Sequence, residues 1–147
     1  MRLQILTLFP DMFRGPLQHS IVARAVEAKL VEIEISDIRQ YTHDRHHVTD
    51  DYQFGGGSGM VMKPEPIFEG VEDTLSRLTQ LEMAKTRVIL TSPQGKMLNQ
   101  SIVEELSKQL HLIIICGHYS GVDERVRQHL ITDEISMGDY VVTGGEV

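Results

Sequence analysis

The sequence holds one cysteine, Cys116, in 147 residues. It can form no internal disulfide and offers no cysteine pair to a structural zinc. No apolar run approaches the roughly 20 residues of a helical membrane crossing. The first ten residues lack the basic stretch, long apolar stretch and small-residue cleavage site of a secretory leader, so no signal peptide and a cytoplasmic location are expected. Cationic side chains are scarce: 14 Lys and Arg face 21 Asp and Glu, for a net charge of −7. That balance argues against a general nucleic-acid binder and leaves room only for a local basic surface. Arg39, His43, Arg45, His46 and His47 form the one such segment. No internal repeat, low-complexity tract or linker divides the chain, and its length suits one domain.

The widespread chemical signatures are missing too. A phosphate-binding P-loop would need glycine at position 90 and Ser or Thr at 97, around Gly95-Lys96. The sequence has Leu90 and Met97 there. Met60 stands where a dinucleotide fingerprint over residues 55–60 would need its third glycine, and where a serine-nucleophile elbow around Ser58 would need its last. His43, His46 and His47 with Asp44 have metal-binding side chains, but they sit in a loop and no second cluster answers them. They read better as a solvated or RNA-facing surface.

What is present is an alternation of strand and helix patterns. Residues 2–9 read as a buried strand ending at Pro10. Residues 17–30 place Leu17, Ile21, Ala25 and Leu30 at roughly helical spacing. Residues 31–38 alternate Val31, Ile33 and Ile35 with Glu32, Glu34 and Ser36, which predicts a strand with one wet face. Residues 39–60 show no apolar period and read as a long loop, polar and then glycine-rich. Pro64 and Pro66 open a helix with Ile67, Val71, Leu75 and Leu78 on one stripe. Residues 86–91 predict a strand, followed by a turn at residues 92–95. Asn99 is a candidate N-cap for a helix that turns Ile102, Val103, Leu106 and Leu110 inward. The unbroken apolar run 111–116 predicts a strand buried on both faces, as in a parallel sheet. A turn at 117–121, a short helix at 122–130 and a last extended piece at 139–143 follow. The expected fold class is α/β, with a mostly parallel sheet flanked by helices.

Three glycine-bearing loops follow apolar strands: Ser92-Pro93-Gln94-Gly95, then residues 117–121, then Met137-Gly138-Asp139-Tyr140 with Gly144-Gly145 beyond. Each alone reads as an ordinary turn. In succession they suggest a ligand site, because open parallel sheets bind ligands at the carboxyl ends of their strands.

The residues also carry a specific resemblance. The stretches LTLFPDMF (6–13), DD…FGGGSGM (50–60), SPQG (92–95), CGHYSGVDER (116–125) and ISMGDYVVTGGE (135–146) stand in the order and spacing of the bacterial tRNA (guanine-N1)-methyltransferases. The chain resembles the N-terminal part of that family along its whole length. The resemblance implies a SPOUT-type, trefoil-knot methyltransferase domain, truncated at its C-terminal end and lacking the family's C-terminal RNA-binding domain. It implies a homodimer that transfers a methyl group from S-adenosylmethionine to N1 of guanosine at tRNA position 37, with magnesium dependence.

Matched by position, the resemblance assigns the cofactor to Leu90, Thr91, Ser92 and Pro93; to Gly117, Tyr119 and Gly121; and to Met137, Gly138, Asp139, Tyr140, Val141 and Val142 with Gly144 and Gly145. It assigns the target guanosine to Asp50 and the glycine run Gly55, Gly56, Gly57 and Gly59, and the neighbouring RNA to Arg24. The N1 proton needs a base to accept it. The resemblance assigns that base to an aspartate beyond Val147, so no catalytic residue is expected within the sequence and the chain alone is expected to be inactive. Ser120 stands where the family pattern has glutamate, and Tyr52-Gln53 where it has Arg-Pro. The alternative reading is a non-catalytic module that binds cofactor or dimerises.

Overall fold

The computed structural model describes all residues except Phe54, Gly55, Gly57 and Val147. The predicted Gly55 and Gly57 contacts therefore lie outside the described residues. Five strands form one sheet in the order β2-β1-β6-β5-β7: β1 (Arg2–Thr7), β2 (Glu32–Asp37), β5 (Thr86–Met97), β6 (His111–Cys116) and β7 (Asp133–Ser136). Every neighbouring pair runs parallel. A separate hairpin of β3 (Asp50–Tyr52) and β4 (Met60–Met62) stands beside the sheet.

The apolar runs of β5 and β6 follow from burial on both faces, with alternate residues pointing opposite ways. Val88, Leu90, Ile113 and Ile115 pack with Ile67 and Val71 of α2 (Pro64–Ser76) and with Val126 of α5 (Glu124–His129). A short helix α3 (Gln80–Met83) precedes β5; Ile89 and Leu112 point to the other face and meet Ile102 and Leu106 of α4 (Gln100–Leu106). Asn99 caps α4 as expected, its side chain accepting from the Ile102 amide at 3.1 Å. Val103 and Leu110 do not turn inward but remain exposed. β2 is an edge strand whose glutamates face solvent.

Helix α1 (Ser20–Glu27) is shorter than the predicted 17–30 span, and Ile21 on it is 70% exposed. It ends because Lys29 adopts a left-handed φ of 56°. The Leu30 amide then donates to the Ala25 carbonyl and the Lys29 amide to that of Val26, a Schellman closure with lysine at the site usually given to glycine.

Three other expectations need correction. Residues 92–95 do not end a strand. β5 runs on to Met97, and residues 92–95 form a bulge, because Thr91 and Lys96 both align with Ile135 of β7. The fifth strand of the sheet is Asp133–Ser136; residues 139–143 lie in no strand, and Val141 is 79% exposed. The long loop 39–60 contains a 3-10 turn at Ile38–Tyr41 and the strands of the hairpin.

Candidate functional site

The carboxyl ends of β5, β6 and β7 converge on one cleft of about 220 Å³. From β5 it takes Leu90, Thr91 and the bulge residues Ser92, Pro93 and Gln94; from the loop after β6, residues 117–122; from the segment after β7, Met137 and residues 140–145. The switch in strand order makes the connections leave the sheet in different directions, and this opens a crevice at the strand ends.

Backbone geometry shapes the cleft. Tyr119 holds a left-handed φ of 56° and Gly121 one of 115°. This tight loop is braced from outside by the hairpin. The Ser120 amide donates to the Met60 carbonyl and the Met62 amide to the Gly121 carbonyl, both at 2.9 Å. Gly59, with φ 98°, abuts the Ser120 hydroxyl. The hairpin that carries Asp50 and the described part of the glycine run is thus tied directly to the cleft's middle loop.

Residues 144–146 cross the carboxyl edge of the sheet. Gly144 forms an antiparallel bridge with His118, and the Gly145 amide donates to the Gly117 carbonyl at 3.1 Å. A side chain at Gly145 would run into Thr91 and come within 3.2 Å of the Cys116 Cα. Thr91 itself donates its hydroxyl to the Ile115 carbonyl at 3.1 Å, joining β5 to β6 beneath that crossing. Glu146 reaches on to β1, accepting from the Thr7 hydroxyl at 2.7 Å. Burial, together with the nearby Glu146 carboxylate, pushes the Cys116 thiol up to about 12, which keeps it protonated.

The walls are mixed in character. Leu90, Met137 and Val142 give apolar surface; backbone at the glycines and the hydroxyls of Ser92 and Ser120 give polar groups. This mixture suits a flat heteroaromatic ligand with polar edges. His118 lies in the lining, its ring 4.9 Å from that of Phe9 and 5.3 Å from that of Tyr119. Among the described residues no carboxylate lines the cleft. Nor do three His, Cys, Asp or Glu side chains gather anywhere among them into a metal-binding group.

Residues 1–147 match the family model described as tRNA (Guanine-1)-methyltransferase TrmD. The chain belongs to that family. A Dehalococcoides mccartyi tRNA (guanine-N(1)-)-methyltransferase is 54% identical over all 147 residues, which make up 58% of that protein. The Listeria monocytogenes protein of the same description is 48% identical over the same residues, 59% of its length. The crystal structure of tRNA (m1G37) methyltransferase from Aquifex aeolicus superposes with a TM-score of 0.87 at 39% identity, covering 99% of this chain and 63% of that one. The architecture is that of the SPOUT methyltransferases. The chain spans about 58% of the length of the curated relatives it matches.

Most positions carried over from the family pattern meet in this family member's cleft: Leu90, Thr91, Ser92, Pro93, Gly117, Tyr119, Gly121, Met137, Tyr140, Val141, Val142, Gly144 and Gly145. Gly138 and Asp139 do not line it; Gly138 instead lies under the Tyr140 ring, whose Cζ is 2.9 Å from where its side chain would begin. Arg24 is exposed on α1, away from the lining. Asp50 lies in β3 opposite Met62, and Gly56 is exposed with a φ of 82°. The cofactor assignment did not include Gln94, His118, Ser120, Val122, Arg127, Ser136 and Thr143, which also line the cleft, although Gln94, His118 and Ser120 lie in loops the strand-end pattern marks. Five of these are interspersed in the quoted motifs and could have been included. Thr143 lies in the last motif as well, but Arg127 falls outside every motif and only the packing of α5 reveals it.

Proposed function

We propose that the cleft binds S-adenosylmethionine and that the protein methylates N1 of a guanosine in tRNA, at position 37 beside the anticodon. The observation that carries this reading is the convergence of three strand-end segments, thirteen of whose positions are those the resemblance assigns to the cofactor, on one cleft with apolar faces and backbone polar edges. When bound, the cofactor supplies an activated methyl on a sulfonium, and so the transfer itself asks for no metal. This chain's residues do the rest by placement. Leu90, Met137 and Val142 would hold the adenine by its faces, and the amides and carbonyls around Gly117 and Gly121 would meet its edge.

The target guanosine would approach from the hairpin side, where Gly56 leaves the backbone open and Gly59 abuts Ser120 of the cleft's middle loop. A base stacked inside the RNA cannot present N1, so it has to be turned out to reach the cleft. The N1 proton needs an acceptor. With no carboxylate among the described lining residues, the expected aspartate beyond Val147 fills that role in this reading. A homodimer is part of it too: Tyr140 and Val141 are largely exposed at the rim, where a second copy would cover them. The relatives are named as methyltransferases, which gives no support to the alternative of a non-catalytic module. No helix among the described residues is long and apolar enough to cross a membrane.

Calorimetric titration with S-adenosylhomocysteine, with ATP as control, tests the cofactor. Saturable micromolar binding of the first and silence from the second is expected; binding of ATP alone would sink the reading. Methylation of a tRNA transcript carrying guanosine at position 37, against one carrying adenosine there, tests the substrate.

A further inference from the structure

The geometry points to Arg127 as a positioning residue for the methyl donor: it pins the 92–95 bulge that forms one wall of the cleft. The proposal rests on the reading of the cleft as a donor site and names a device within it that the family motifs do not include.

Arg127 projects from α5, and its side chain is four-fifths buried at 20% exposure. Its Nη2 donates to the Ser92 hydroxyl at 3.1 Å. The same nitrogen lies 2.9 Å from Oε1 of Glu134 on β7, an ion pair rather than an aligned hydrogen bond. Ser92 accepts in turn from the Gln94 amide at 3.1 Å, which closes the turn at the start of the bulge. One guanidinium therefore holds both sides of the irregularity, the departing limb of β5 and the β7 strand it pairs with.

The position matters because the bulge is a thin partition. Ser92, Pro93 and Gln94 face the cleft, while Gln94, Gly95 and Glu134 line a second groove on the other side. Gly95 is pressed so closely to β7 that a Cβ there would lie 2.6 Å from the Glu134 carbonyl oxygen. Residues 92–95 have no ladder partners of their own, since Thr91 and Lys96 share one. Side-chain bonds must then supply the order that pairing does not. A guanidinium suits the task, because its several fixed N–H groups reach a hydroxyl and a carboxylate together. A wall already in place spares the donor the cost of ordering it on binding.

The test compares full-length wild-type protein with Arg127→Met, Arg127→Lys and the double variant Arg127→Met/Glu134→Gln, which removes the half-buried charge at Glu134 and leaves only Glu124, the exposed carboxylate 3.6 Å from Arg127 Nη1, without its partner. In ligand-free protein, hydrogen exchange at the amides of Gln94, Lys96 and Met97 should rise about tenfold in Arg127→Met and in the double variant, while the β6 amides keep their wild-type rates. The dissociation constant for S-adenosylhomocysteine and the KM for S-adenosylmethionine should rise about five- to tenfold, with kcat at saturation within about twofold. Arg127→Lys, which keeps the charge but not the planar fork, should recover only part of the affinity. A purely structural arginine would speed exchange in bulge and β6 alike, and that outcome overturns the proposal. So does wild-type exchange at residues 94–97, or a loosened bulge with unchanged affinity. Failure of wild-type protein itself to bind S-adenosylhomocysteine is a different result: it overturns the reading of the cleft and the claim on affinity together, and the exchange rates then decide the pin alone.

Discussion

Glu146 accepts a hydrogen bond from the Thr7 hydroxyl at 2.7 Å, across 139 positions of sequence. Thr7 is fully buried at the carboxyl end of β1, and its oxygen also accepts from the Phe9 amide at 2.9 Å. One hydroxyl thus finishes the first strand and fastens the segment that closes the cleft. Thr7→Val keeps the shape and removes the oxygen, leaving the Phe9 amide and the Glu146 carboxylate without it. A loss of about 1–3 kcal/mol in urea denaturation is expected, together with weaker S-adenosylhomocysteine binding. Unchanged stability would show that water replaces the hydroxyl.

Gly145→Ala places a methyl against Thr91 and the Cys116 backbone, which cannot both yield. The crossing segment should lift away from the β5 and β6 ends while the sheet beneath keeps its core. Far-ultraviolet dichroism should be preserved and donor affinity should fall at least about tenfold, roughly 1.4 kcal/mol. Wild-type affinity in this variant would remove residues 144–146 from the cleft.

Cys116 links stability to alkaline pH. Its folded-state pKa is raised to about 12 by burial, with the Glu146 charge adding to it, against roughly 8.5 in an unfolded chain. The unfolded state therefore gives up its proton first. The contribution is whole below about pH 8.5 and falls by up to about 1.4 kcal/mol per pH unit from there towards 12. Denaturation curves between pH 8 and 10 should show this slope in the wild type and lose it in Cys116→Ala. Thiol reagents at pH 8 should modify unfolded protein and spare the folded form.

Lys29 closes α1 with a φ of 56°, a conformation that costs a residue with a Cβ roughly 1–2 kcal/mol. Lys29→Gly removes that strain, while the added freedom of the unfolded chain returns part of it. A net gain of about 0.5–1 kcal/mol in thermal or urea denaturation is expected, with donor binding unaltered. A destabilised variant would mean that the lysine stem packs more than the closure strains.

What the sequence made legible follows burial. Val88 to Leu90 and Leu112 to Ile115 are apolar in succession because both faces of β5 and β6 are covered. β7 was hidden because Asp133 and Glu134 open it, and their reason is remote: they meet Arg87 and Arg127. Residues 139–143 misled in the opposite direction. Val141 and Val142 have strand-forming side chains, yet they stand at the rim of the cleft where the chain makes no ladder. Residues 92–95 have turn chemistry, and pairing of Lys96 and Met97 with β7 carried the strand past it. The cleft was legible mainly through motif resemblance; Arg127, whose role depends on where α5 lands, was not.

The bond between Thr7 and Glu146 also sets an order of events during biosynthesis. The end of β1 is joined to a residue made 139 positions later. At synthesis rates of about 5–20 residues per second, β1 waits on the order of ten seconds for that partner. Through this interval the carboxyl edge of the nascent sheet stays open, so a slowing of translation between β6 and Glu146 would lengthen its exposure to chaperones and to other chains.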